Sequence, residues 1–204
     1  KYTETPWVTP WREGAVFVYH GSSAGITSSS ADWVAVSGQE QAKFGIAAST
    51  AGDVNGDGYS DVIVGASNYA DYGQSGGDQT DEGAAFVYHG NSISMTMGLP
   101  SWTTTGEQEN TRLGSTVSTA GDLNGDGYTD VIIGAPDYDA QVGAQSDEGA
   151  VFVYYGSSIG LTAGSADWTN IGDRAAAHLR GHRHEPQEDE VDPHGSERIL
   201  YLDD

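Results

Sequence analysis

The stretch "GDVNGDGYSD", Gly52–Asp61, places Asp53, Asn55, Asp57 and Asp61 at relative positions 1, 3, 5 and 9, with the Tyr59 carbonyl at position 7. Alternate residues of a tightly curled loop point inward, so these oxygens converge on one point. Gly56 and Gly58 carry no β-carbon and allow the sharp turns such a loop needs, including positive φ. Carboxylates packed this closely repel one another unless a cation neutralises them. Oxygen-only ligation with several carboxylates suits a hard cation with six to eight ligands, which is Ca²⁺. Mg²⁺ takes fewer protein ligands and keeps its waters, and transition metals recruit His or Cys, which the loop lacks. The same pattern returns 69 residues later as "GDLNGDGYTD", with Asp122, Asn124, Asp126, the Tyr128 carbonyl and Asp130 in the same roles. Two Ca²⁺ sites are therefore expected.

An EF-hand or dockerin-type loop shares the first five positions but needs a bidentate Glu at position 12 and flanking helices. Position 12 is Val64 in one copy and Ile133 in the other, and the flanks "VIVGA" and "VIIGA" read as strands. Asp, Asn and Gly also favour ordinary turns. Identical ligand spacing in two copies, each followed by an apolar strand, favours a metal loop over a turn.

The elements that must hold these loops belong to a repeat. "EGAVFVYHGSS" at Glu13–Ser23 returns as "EGAAFVYHGNS" at Glu82–Ser92 and "EGAVFVYYGSS" at Glu148–Ser158, spaced by 69 and 66 residues. Each unit reads as four short strands. Phe44–Thr50 or Leu113–Thr119 leads into the acidic loop, and "DVIVGA" or "DVIIGA" follows as a strand buried on both faces. "AVFVY" is the third, and the stretch around Trp33, Trp102 or Trp168 is the fourth. No window shows a 3.6-residue apolar period, and units of four strands repeated in series predict an all-β chain of propeller blades.

With loop and flanks placed, the sequence resembles the FG-GAP repeat family, which builds the β-propeller of integrin α chains. The name-giving residues stand as Phe44-Gly45 with Gly65-Ala66-Ser67, and as Leu113-Gly114 with Gly134-Ala135-Pro136. The resemblance covers about residues 13–172. It implies four-stranded antiparallel blades in which each Ca²⁺ loop joins the first two strands. It also implies structural ions and a surface that binds proteins or glycans.

The expected organisation is the last two strands of one blade in 1–42, full blades over 43–110 and 111–172, and an aberrant, disordered tail over 173–204. A closed propeller needs at least four blades, so an open arc is expected: a piece of a larger propeller, or one completed by further blades or by self-association. The opening "KYTETPWVTP" shows no initiating Met and no signal peptide, as in a processed or excised piece. The formal charge of −22, from 30 acidic against 8 basic residues, repels nucleic acid and anionic membranes. No apolar run is long enough to span a bilayer, and Cys is absent.

Other candidates read as structural. Trp33, Trp102 and Trp168 recur in register, as blade packing or a sugar-stacking row would require, and packing is expected. His20, His89 and Tyr155 occupy matching sites, and a catalytic residue would not recur in each blade. Asp71, Asp78, Asp81, Asp139 and Asp147 read as solvated loop residues. In the tail, His182-x-His184 reads as solvated and the alignment of Glu188, Glu190 and Asp192 with a third loop as chance. No catalytic constellation stands apart from the repeat, so enzyme activity is not expected. The reading is a Ca²⁺-stabilised propeller segment for extracellular adhesion, because a site that must be filled for folding suits the high calcium outside cells. The alternative is a non-catalytic part of a secreted hydrolase or lyase; a cytosolic Ca²⁺ sensor is disfavoured because no helix pair can open.

Overall fold

A computed structural model of the protein describes residues 13–26, 28–70, 81–92, 99–140 and 148–172. The expectations for 173–204, including His182, His184, Glu188, Glu190 and Asp192, lie outside the described residues, as do those for Asp71, Asp78 and Asp147.

Among the described residues, ten strands form three antiparallel sheets and no helix occurs. The first sheet pairs β1 (Val16–Val18) with β2 (Trp33–Ala35). The second runs in the order β3 (Phe44–Gly52), β4 (Asp61–Ala66), β5 (Ala84–Tyr88) and β6 (Trp102–Thr105). The third repeats it with β7 (Thr116–Gly121), β8 (Asp130–Ala135), β9 (Ala150–Tyr154) and β10 (Trp168–Ile171). Chain order equals sheet order, as short connections between sequential strands require. Among the described residues the result is an all-β series of open propeller blades, and none of the sheets closes into a barrel. None of the described residues forms a helix long and apolar enough to cross a membrane.

The central sheet shows why its strands are apolar throughout. Side chains alternate between the two faces of a strand. In β5, Phe86 and Tyr88 join Trp33, Phe44, Val64 and Ala66 in a cluster against the first sheet. Their neighbours Ala85 and Val87 join Ile63, Trp102, Val131, Ile133 and Tyr154 in a cluster against the third. Both faces are core, and each fully buried large side chain contributes about 1.5–3 kcal/mol.

The sheets meet through a repeated joint. Trp33 packs on Tyr88 with ring centroids 4.8 Å apart at 68°, and Trp102 packs on Tyr154 with the same distance and angle. Edge-to-face pairs of this kind add about 0.5–1.5 kcal/mol beyond the area they bury. The backbone repeats the joint: Phe44 donates to the Glu13 carbonyl at 2.9 Å, and Leu113 donates to the Glu82 carbonyl at 3.1 Å. This close approach explains the Gly of "EGA". A Cβ at Gly14 would lie 2.0 Å from the Phe44 carbonyl oxygen, and one at Gly83 would lie 2.2 Å from that of Leu113.

Three strand ends differ from expectation, one of them the end of β7, which runs on to Gly121 rather than Thr119. The first strand of the third sheet begins at Thr116 rather than Leu113, although Arg112 and Gly114 (φ 53° and 83°) turn the chain just as Lys43 and Gly45 (55° and 82°) do at the start of β3. Leu113 instead bridges to Gly83 of the central sheet. In the central sheet, β3 runs on to Gly52, with register shifts between Phe44 and Ala47 and between Thr50 and Gly52.

Candidate metal centre

Each acidic loop connects the first two strands of its sheet, β3 to β4 and β7 to β8. The loop curls because its own side chains capture its backbone amides. Asp53 accepts from the amides of Asp57 at 3.0 Å and Gly58 at 2.9 Å. Asn55 Oδ1 accepts from Asp57 at 3.1 Å, and Asp57 Oδ1 accepts from Tyr59 at 2.9 Å. Asn55 Nδ2 donates to Asp57 Oδ2 at 3.0 Å. Gly56 and Gly58 take φ of 72° and 89°, which lets successive amides turn toward one centre.

The second loop repeats these bonds. Asp122 accepts from Asp126 at 3.0 Å and Gly127 at 2.9 Å, and additionally from Gly125 at 2.8 Å. Asn124 accepts from Asp126 at 3.0 Å, Asp126 accepts from Tyr128 at 2.9 Å, and Asn124 Nδ2 donates to Asp126 at 2.9 Å. Positions 1, 3 and 5 are thus drawn together in both copies.

Position 9 is held differently. Asp61 is fully buried; its Oδ2 accepts from Val54 and its Oδ1 from Gly90, both at 2.9 Å. Asp130 is equally buried and accepts from Leu123 at 2.7 Å and Gly156 at 3.0 Å. These carboxylates tie the start of the loop to the end of the third strand. Burial holds the Asp61 carboxyl above its ordinary value, opposed by the amide bonds from Gly90 and Val54. Among the described residues, His, Asp and Glu side chains nowhere gather as a group of three placed to hold a metal.

The donor chemistry nevertheless fits a hard divalent ion. Every side-chain acceptor in the loops is oxygen, and each carboxylate oxygen that accepts one amide proton keeps further lone pairs. Neither loop contains an imidazole or thiolate.

Sequence spacing alone did not indicate what fastens the first loop from outside. Its neighbours come from the third sheet: Asp53 donates to Thr129 Oγ1 at 3.2 Å, Thr129 donates to the Asp53 carbonyl at 3.1 Å, and Ser157 donates to that of Val54 at 3.0 Å. His89, from its own sheet, lies 3.3 Å from Asn55 Nδ2 through Nδ1, and its buried Nε2 faces Gly160. The recurring "YHG" was the available signal for His89. The tryptophans resolve as packing residues in two cases, since Trp33 and Trp102 are each 5% exposed, whereas Trp168 is 48% exposed.

The FG-GAP repeat family model matches residues 44–88 and 113–154, which span the first three strands and the acidic loop of each full sheet. The two matched segments are FG-GAP repeats of the integrin α type. The chain is similar to integrin alpha-5 of Xenopus laevis, 34% identical over 126 residues that cover 61% of this chain and 11% of that protein. It is similar to integrin alpha pat-2 of Caenorhabditis elegans, 38% identical over 114 residues, or 53% of this chain and 9% of that protein. Human integrin alpha-IIb is 37% identical over 111 residues, 53% of this chain and 10% of its own length. The chain therefore spans about a tenth of the length of the curated relatives it matches.

Proposed function

We propose that the two FG-GAP loops hold Ca²⁺ and that the segment serves adhesion at the cell surface or outside the cell, through a protein or glycan ligand. The observation that carries the calcium reading is the recurrence of one loop conformation at both sites. In each, the side chains at positions 1, 3 and 5 are oriented by the same backbone amides. Asp53, Asn55, Asp57 and Asp61, with the Tyr59 carbonyl, would hold one ion; Asp122, Asn124, Asp126 and Asp130, with the Tyr128 carbonyl, would hold the other. Bound Ca²⁺ supplies positive charge that offsets the clustered carboxylates. Both loops join strands of the core, so filling them stabilises the folded sheets.

The adhesion reading rests on the similarity to integrin α chains and on the absence of a catalytic constellation in the sequence. The high calcium outside cells suits sites whose occupancy supports the fold. Calorimetric titration with CaCl₂, followed by thermal melting with and without EDTA, tests the calcium reading. A ligand at 100 times its Kd stabilises by about 2.7 kcal/mol per site, so the melting midpoint is expected to fall by roughly 5–10 °C per emptied site. An unchanged midpoint with no heat of binding refutes it.

A further inference from the structure

Among the described residues, Nε2 of His89 is a buried nitrogen without a hydrogen-bond partner. Such a group costs stability, and its presence calls for a reason. The other ring nitrogen supplies one. Nδ1 lies 3.3 Å from Asn55 Nδ2, which also donates to Asp57 Oδ2 at 3.0 Å. An ionised carboxylate only accepts, which identifies the Asn55 atom as the amide nitrogen; that nitrogen only donates, so Nδ1 accepts. The ring proton then sits on Nε2, the atom without a partner. With both amide protons of Asn55 engaged, its Oδ1 faces the loop, where the Asp57 amide donates to it at 3.1 Å.

The ring is held from the other side by the third sheet. The turn at Ser157–Gly160, closed by Gly160 donating to Ser157 at 2.8 Å, stands against it. A Cβ at Gly160 would lie 3.0 Å from both Cε1 and Nε2 of His89, so a glycine, here at φ 87°, lets the turn close on the imidazole.

We propose that His89 is a positioning residue of the first loop: its Nδ1 holds the Asn55 amide so that Oδ1 is presented to the cation. This role rests on the calcium reading. A cation that takes the Asp57 carboxylate competes with the Asn55 amide for it, whereas the His89 lone pair lies outside the proposed ligand set. The second loop lacks this hold. Tyr155 stands at the place of His89 in the repeat, and among the described residues Asn124 Nδ2 donates to Asp126 alone.

Calorimetric titration of the whole chain with CaCl₂ after EDTA stripping tests this, with two variants. His89→Phe keeps a flat ring beside Gly160 and removes the acceptor. His89→Asn keeps an acceptor the same number of bonds from the backbone. His89→Phe should weaken one of two sites by about 10–100-fold, the usual cost of losing a group that orients a metal ligand, and His89→Asn should recover most of that loss. Without calcium, His89→Phe should melt no earlier than the wild type, since it buries no unpartnered N–H. Nitrogen NMR of ¹⁵N-histidine-labelled wild type should show His89 with Nδ1 bare and Nε2 protonated. A wild type that takes up no calcium removes the calcium reading and this role with it. A wild type that binds two ions overturns the role alone if His89→Phe binds both as tightly, or if His89→Asn is as weak as His89→Phe. A proton on Nδ1, or early melting of calcium-free His89→Phe, overturns it as well.

Discussion

The loops Gly52–Asp61 and Gly121–Asp130 differ at only two of ten positions, yet they occupy different environments. The first is wedged between sheets, with Thr129 and Ser157 of the following sheet bonded to its backbone and Val54 without solvent contact. The second makes the same internal bonds, but Leu123, at the position of Val54, stands in solvent. The difference teaches that curling of the loop is a local property, whereas its burial comes from the sheet that follows. Leu123 and Trp168 lie on the same outward face, so the contrast extends across the whole third sheet.

The largest way to break this contrast is at the tryptophans. Trp102→Ala removes a side chain whose ring packs on Tyr154 and whose indole donates to the Thr162 carbonyl at 2.9 Å. A loss of about 3–5 kcal/mol is expected, against less than about 1 kcal/mol for Trp168→Ala in dilute solution. Urea unfolding of both variants checks it, and equal losses would show that the outer face is as buried as the inner one.

A smaller contrast is expected within the loops. Val54→Ala should cost about 2 kcal/mol and Leu123→Ala within about 0.5 kcal/mol, measured the same way in saturating calcium. If the first loop depends on its neighbour, Val54→Ala will also weaken calcium binding at that site, which a titration would show as one altered class of two.

The remaining effect appears only at alkaline pH. Burial in the first joint pushes the Tyr88 phenol up to about 12, and Tyr154 in the second is raised by burial as well, with the Thr104 hydrogen bond opposing. The unfolded chain releases these protons near the ordinary phenol value of about 10. Between the two values the folded state holds more protons, so this stability is complete below about pH 10 and declines as pH rises toward 12. Ultraviolet difference titration should show late-ionising tyrosines, and Tyr88→Phe should remove one of them.

Much of the fold was legible because its signals are short-range. "DVIVGA" and "DVIIGA" are apolar at successive positions, the pattern of a strand covered on both faces, and both became strands: β4 is covered on both faces, whereas β8 leaves Ile132 and Gly134 half-buried. The strand boundary at Leu113 was not legible. The equivalent Phe44 opens β3 with the same positive φ on either side, whereas Leu113 bridges to Gly83 of the neighbouring sheet, a long-range contact that residue type does not reveal. In the loops, the grouping of positions 1, 3 and 5 followed from spacing. The attachment of Asp61 to Gly90 did not, because that amide lies 29 residues away at the end of another strand.

By itself the sequence determined the blade unit, the loop and the order of strands, since these arise from alternation, turn residues and neighbours a few positions apart. Tertiary structure alone decided which two of three equivalent tryptophans are buried and which of two near-identical loops is braced. Their residue types are the same or nearly so, and the outcome depends on whether another sheet stands against them.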